Sequence, residues 1–297
     1  MRLISAWINI GGNNNKKGGI MKKKVLIITI FFIVSLTVYG FVSTVIAGNV
    51  QQQLSSESTI ENVIKRGILR VGMSTFVPWA MKDKTGKFVG FEVDVATRLA
   101  KDTGIKISIV PTKWAGIIPA LLTGKFDVII GGMTIRPDRN LKVNFTIPYD
   151  YSGQTICAHK SLAAGLNNYK DFNRKDVTIG ARLGSSSVAA INKHMPEAKL
   201  HLFEDEAQAY QELLNGKVHA VVGSLPMPAY QALRYPERLF ALTEPFTREL
   251  IGFAVRKGDF DTVNYFNNWI RNVKEEGWLQ ERHNYWFNTR DWESLIN

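Results

Sequence analysis

The chain has one cysteine, Cys157, in 297 residues. A single thiol excludes an internal disulfide and any cysteine metal cluster. Its place in the apolar run Thr155-Ile156-Cys157-Ala158 marks it as a packing residue. Histidine is also scarce. The five histidines are scattered, with no pair at metal-ligand spacing, so no metal is expected. There is no GxGxxG and no Walker-type loop, no Ser/His/Asp set announces itself, and no cofactor is expected.

Basic residues outnumber acidic ones by 11, but the excess is not a nucleic-acid signal. Residues 1–47 hold six basic residues (Arg2, Lys16, Lys17, Lys22, Lys23, Lys24) and no acidic ones, so the remainder sets 31 basic against 26 acidic residues, a net +5. That describes a mildly basic surface rather than a phosphate-binding stripe, and nucleic acid is not an expected partner. Within the first 47 residues, Met21-Lys22-Lys23-Lys24 and an apolar run to Val45-Ile46-Ala47 have the order of a secretory signal, with cleavage expected after Ala47. An uncleaved anchor is the alternative, because the run is long enough to span a bilayer. Residues 1–20 are polar and Gly/Asn-rich, unlike an n-region, which favours Met21 as the start. No cysteine near residue 47 offers a lipid attachment point. Residues 48–59 form a polar Gln/Ser linker.

One segment occurs twice. Leu121-Leu122-Thr123-Gly124-Lys125-Phe126-Asp127-Val128-Ile129-Ile130-Gly131-Gly132 aligns without gaps on Leu213-Leu214-Asn215-Gly216-Lys217-Val218-His219-Ala220-Val221-Val222-Gly223-Ser224. In both copies a helical pattern stops at glycine, passes into a short β-branched run and breaks at small residues. This is the α-to-β half of an α/β unit. The runs do not alternate, as expected of strands covered on both faces. Ligands of open α/β sheets bind beyond the carboxyl ends of such strands, so the residues just after each strand are the first candidates for function.

The same reading applied along the chain predicts helices over 60–66, 91–101 and 116–122, then 186–194, 206–214 and 228–234, and finally 260–276 and 278–286. Strands are expected over 68–73, 105–110, 128–130, 177–181, 199–203, 220–222 and 250–255, with a hairpin at Lys84-Thr85-Gly86. Two strand-like crossings, near 151–155 and 250–254, fit two lobes with two connections. With 45% hydrophobic residues, each lobe has material for its own core.

Several residues in post-strand loops carry the expected chemistry. Gly132 leaves the backbone open to a ligand and Thr134 adds a hydroxyl. Arg139 opens a helical turn, either as a solvated surface arginine or as a fork for a carboxylate. In the second lobe, Arg182-Leu183-Gly184-Ser185-Ser186-Ser187 lies between strand and helix, either as a plain N-cap or as an anion site built on the Ser186 amide. Phe76, Trp79 and Trp114 sit in loops, as core residues or as walls of a small-molecule pocket.

Gly90-Phe91-Glu92-Val93-Asp94, Trp114-Ala115-Gly116-Ile117-Ile118-Pro119-Ala120-Leu121, Gly132-Met133-Thr134-Ile135-Arg136-Pro137-Asp138-Arg139 and Val143-Asn144-Phe145-Thr146-Ile147-Pro148-Tyr149 resemble the polar amino-acid binding proteins of ABC importers, solute-binding family 3. The resemblance runs in order from about residue 60 to 287. It implies an α/β, type II periplasmic binding protein fold of two lobes closing on one ligand about two hinge-crossing strands. Residues 60–152 and 251–297 would form lobe I and 153–250 lobe II. It places an aromatic wall on Phe76 and Trp114 and the ligand carboxylate on Arg139 with the amides of Thr134 and Ser186. It also assigns an ammonium contact to the Gly132 carbonyl, and Arg182 stands where the glutamine binder has lysine. A periplasmic location, an amino acid or small carboxylate as ligand, and a membrane permease as partner follow from the resemblance.

One departure bears on the ligand. The family has an aspartate for the α-ammonium at the place of Ser224, and serine supplies no counter-charge. Either another acid reaches in or the ligand lacks a free amine. A cyclohexadienyl dehydratase on the same fold is the enzymatic alternative. Its acid would fall at Val188, which cannot donate a proton. A membrane-tethered sensory domain is the third alternative.

Overall fold

The structure, a computed structural model, describes residues 58–296. The expected signal segment, its cleavage point and nearly all of the linker lie outside the described residues. No helix among the described residues is long and apolar enough to cross a membrane.

In chain order the first lobe contains α1 (Thr59–Arg66), β1 (Ile68–Met73), the hairpin β2 (Met81–Lys82) and β3 (Phe88–Val89), α2 (Phe91–Thr103) and β4 (Lys106–Pro111). A 3-10 turn at Trp114–Gly116 leads into α3 (Ile117–Leu122), β5 (Val128–Ile129), α4 (Pro137–Asn140) and β6 (Val143–Phe145). After β7 (Asp150–Ser152) the second lobe runs through β8 (Gln154–His159), β9 (Thr178–Arg182), α5 (Ser186–His194), β10 (Lys199–Phe203), α6 (Glu206–Leu214), β11 (Ala220–Ser224), α7 (Met227–Arg234) and β12 (Leu239–Ala241). The chain then returns through β13 (Glu249–Ile251) and β14 (Ala254–Arg256) to α8 (Phe260–Glu275) and α9 (Trp278–His283).

Two five-stranded sheets result, ordered β4-β1-β5-β14-β6 and β10-β9-β11-β8-β12. The two repeat strands, β5 and β11, take the central place in each. Their lack of alternation has the expected cause. In β11, Ala220 and Val222 join Ile156, Ala158, Ile179 and Ile191 on one face, while Val221 joins Cys157, Tyr210 and Leu213 on the other. β5 likewise divides Val128 from Ile129. Cys157 is fully buried in β8, and burial pushes its thiol up to about 12.

The strand expected over 250–255 is two strands. β13 pairs antiparallel with β7 in a separate ribbon, and β14 joins the first sheet. Gly252 and Phe253 make the break. There the Phe253 N–H donates to Thr146 Oγ1 at 3.0 Å, and Thr146 N–H donates back to Phe253 O at 3.1 Å. A threonine side chain thus substitutes for the missing ladder bond. The helix expected over 278–286 ends at His283 and passes into a π-helical turn, Asn284–Asn288.

Candidate functional site

The carboxyl ends of β5, β9 and β11 and the first turn of α5 converge where the lobes meet. Strand parity sorts the side chains of β8, β9 and β11 onto two faces of the second sheet. Gln154 and Ser224, opposite each other in the β8–β11 register, share the face of Ile156, Ala158, Ala220 and Val222 with α5. Arg182 lies on the opposite face with α6.

On the α5 face, one buried carboxylate gathers donors from both lobes. Glu249 Oε2 accepts from Thr134 Oγ1 at 2.8 Å, from Gln154 Nε2 at 3.1 Å and from Ser186 Oγ at 3.1 Å. Gln154 Nε2 also donates to Ser224 Oγ at 2.9 Å, and Ser187 Oγ donates to Gln154 Oε1 at 2.6 Å. Glu249 reaches this position because β13 runs beside the segment after β5. Ile251 bridges Thr134, and Ile135 N–H donates to Leu250 O at 2.8 Å. Alternation along β13 then exposes Leu250 and buries Glu249 and Ile251.

Arg139 stands at the edge of the same cluster. Its Nη1 donates to Thr134 O and its Nη2 to Gly184 O, both at 3.0 Å, so the guanidinium spans the two lobes. Burial pulls Arg139 down to about 10, with Arg136 adding to the effect, while Asp138 and Glu249 oppose it. The side chain stays charged at neutral pH. It is therefore a buried cation rather than the solvated surface arginine that was the alternative.

On the α6 face, the Arg182 guanidinium lies 4.9 Å from the Phe76 ring centroid and 4.7 Å from that of Trp114. Two aromatic faces from the first lobe thus hold a cation from the second. Burial lowers the pKa of Arg182 and raises that of Glu206, and each opposes the shift of the other. Arg182 Nε and Nη1, Glu206 Oε2 and Tyr210 Oη are buried with no hydrogen-bond partner among the described residues. Tyr210 and Glu206 press against β11 so closely that a Cβ at Gly223 would meet them at 2.8 and 3.3 Å. These groups can donate to and accept from a polar side chain of a solute.

The remaining sequence candidates are placed as follows. Trp114 donates through Nε1 to Gly184 O at 3.1 Å, a further lobe-to-lobe bond. Trp79 is set behind Phe76, stacked on it at 5.5 Å, with its Nε1 donating to Leu225 O at 3.1 Å. Gly132 has φ +67°, and a Cβ there would fall 2.8 Å from Phe76 Cζ. Its lack of a side chain makes room for Phe76. Val188 packs against the core of the second lobe. Among the described residues no group of three or more His, Cys, Asp or Glu could hold a metal ion.

Gln154 and Glu249 escaped the sequence reading. The period-2 pattern of the return strand places Glu249 inward with Ile251, which is the signal that could have found it.

The family model described as bacterial extracellular solute-binding proteins, family 3, matches residues 69–289. The L-cystine-binding protein TcyJ of Escherichia coli (strain K12) is 30% identical over 244 residues, 82% of this chain and 91% of that protein. A solved structure of a binding component, described as putative, of an ABC transporter from Wolinella succinogenes, complexed with lysine, superposes with a TM-score of 0.72. It is 40% identical and covers 77% of this chain and 99% of that one. The cyclohexadienyl dehydratase of Pseudomonas aeruginosa strain PAO1 is more distant, 24% identical over 80% of this chain and 88% of that enzyme.

Proposed function

Because the chain belongs to the bacterial extracellular solute-binding proteins, family 3, we propose that it captures an amino acid or related small carboxylate between its two lobes and delivers it to the permease of an ABC importer. The observation that carries this reading is the carboxylate seat. Thr134 from one lobe and Gln154 and Ser186 from the other already converge on a carboxylate oxygen, with the Arg139 cation beside them. A solute carboxylate arriving at Arg139 finds the same hydroxyls. The solute's side chain is received beside the Phe76 and Trp114 rings, which hold the Arg182 guanidinium, with Glu206 and Tyr210 beyond it.

Contacts from both lobes to one solute favour the closed arrangement over the open one, which is how binding drives a hinge movement. The β7–β13 ribbon between the sheets is the proposed hinge. Micromolar affinity needs about −8 kcal/mol. A few charge-assisted bonds with aromatic burial supply that after ordering costs. Delivery from the periplasm fits the basic and apolar order of residues 21–47. Recovery of secreted protein beginning at Gly48 tests that placement.

The dehydratase relative gives the enzymatic reading its standing, but that reading needs an acid where this chain has Val188. Prephenate or arogenate turnover lost on Arg139→Ala would replace the binding reading with the enzymatic one. The main test is a thermal-shift screen of purified protein, unfolded and refolded to strip bound solute, against L-amino acids and small organic acids. A raised midpoint with at least one is expected. No shift with any of them removes the proposal.

A further inference from the structure

We infer that Glu249 supplies the α-ammonium counter-charge that Ser224 cannot, so that this receptor selects zwitterionic amino acids over amine-free acids. The inference rests on the solute-binding reading above and names the chemistry of that site.

Ser224 and Glu249 are joined through a single atom. Gln154 Nε2 donates to Ser224 Oγ at 2.9 Å and to Glu249 Oε2 at 3.1 Å. The carboxylate therefore lies one hydrogen-bonding nitrogen away from the position that lacks its acid. All the donors that Glu249 meets fall on Oε2, and Oε1 accepts no hydrogen bond among the described residues. An ammonium has three donors and no acceptor, so a carboxylate with a free oxygen is its natural partner.

Glu206 is the other buried acid of the site, and parity removes it from contention. It abuts Gly223, which faces the other side of β11 from Ser224, and its charge is opposed by Arg182. That leaves Glu249 as the acid on the Ser224 face.

Charge counting leads to the same residue. The site buries two guanidiniums, Arg139 and Arg182, and two acids, Glu206 and Glu249. A zwitterion adds no net charge. Its carboxylate takes Arg139 and the hydroxyls of Thr134 and Ser186, and displaces Glu249 Oε2 toward the ammonium it brings. An amine-free acid would set two carboxylates on one pair of hydroxyls with no added cation, which burial penalises heavily. Two groups that compete for the same donors are reconciled only when the ligand carries its own positive charge.

The test uses purified, solute-stripped protein and whichever of L-glutamine, L-lysine, L-arginine, L-histidine and L-cystine raises its midpoint most. Calorimetric titration compares that amino acid with the same molecule carrying hydrogen in place of each α-amine. Glu249→Gln is expected to weaken the amino acid by about 100-fold, the usual result of truncating one partner of a buried charge pair, and to leave the deaminated molecule unweakened. Adding Ser224→Asp to Glu249→Gln is expected to restore at least about tenfold, because the charge returns to the same ammonium from the end of β11. Equal losses for both molecules would show a merely structural Glu249 and overturn the inference. So would an unchanged amino-acid affinity in Glu249→Gln, or wild-type protein that prefers the deaminated molecule. In those three cases the solute-binding reading stands. Wild-type protein that binds none of these molecules removes that reading, and the inference with it.

Discussion

Glu92 is fully buried, and Tyr149 Oη lies 2.7 Å from both of its carboxyl oxygens. Burial pushes this carboxyl up to about 8, although hydrogen bonds from Tyr149 and the Gly132 backbone oppose the shift. The unfolded chain releases the proton near 4.5. Between those values the folded protein holds a proton that the unfolded chain has lost. Stability from this residue is therefore complete below about pH 4.5 and falls as pH rises toward 8, by at most about 1.4 kcal/mol per unit. Glu92→Gln is expected to remove that slope, so that urea midpoints at pH 5 and pH 8 differ less than in the wild type. An unchanged difference would show that Glu92 is ionised in the fold. Arg139 is a different case. Its charge survives burial, so Arg139→Lys keeps the cation but loses the fork that reaches Thr134 O and Gly184 O together. Affinity for the solute is expected to fall by tenfold or more, within the roughly 1.5–3 kcal/mol of one charge-assisted bond, as titration would show.

At the scale of elements, the Gly252–Phe253 break depends on Thr146. Thr146→Val keeps the shape but leaves the buried Phe253 N–H without its acceptor. A loss of about 1–3 kcal/mol in unfolding free energy is expected, measurable by urea titration. A loss below about 0.5 kcal/mol would mean that another group accepts that proton. The same region shows what the sequence made legible. The repeat strands, α5 with Ser186 at its first turn, and Arg139 in a helical turn were readable because periodicity and stop signals are local. The division of 250–255 into β13 and β14 was not, since it is imposed by a threonine 107 residues away. Glu249 was legible only as an inward-facing acid. Its partners Thr134, Gln154 and Ser186 lie 115, 95 and 63 residues away and meet only through the topology. Gly132 was legible as a special position, whereas the Phe76 ring that fills the space beside it, from the loop after β1, was not.

At the scale of the whole molecule, the lobes touch through bonds that each need both sheets in place. Trp79 reaches Leu225 O, Trp114 and Arg139 reach Gly184 O, and Lys113 pairs with Glu204 at 2.8 Å. The last pair is well exposed and contributes little. The buried bonds set the geometry into which a solute fits. A solute present at about 100 times its Kd adds about 2.7 kcal/mol to stability. For a chain of this size that raises the unfolding midpoint by roughly 5–10 °C, and scanning calorimetry checks it.

The most direct measurement of solute capture between the lobes is calorimetric titration of the strongest binding amino acid into wild-type protein and into Arg139→Ala. One solute per chain at about micromolar Kd is expected for the wild type, with affinity at least about 100-fold weaker in the variant. Equal affinity in the two proteins, or more than one equivalent site per chain, would contradict a single seat built around Arg139, Thr134 and Ser186.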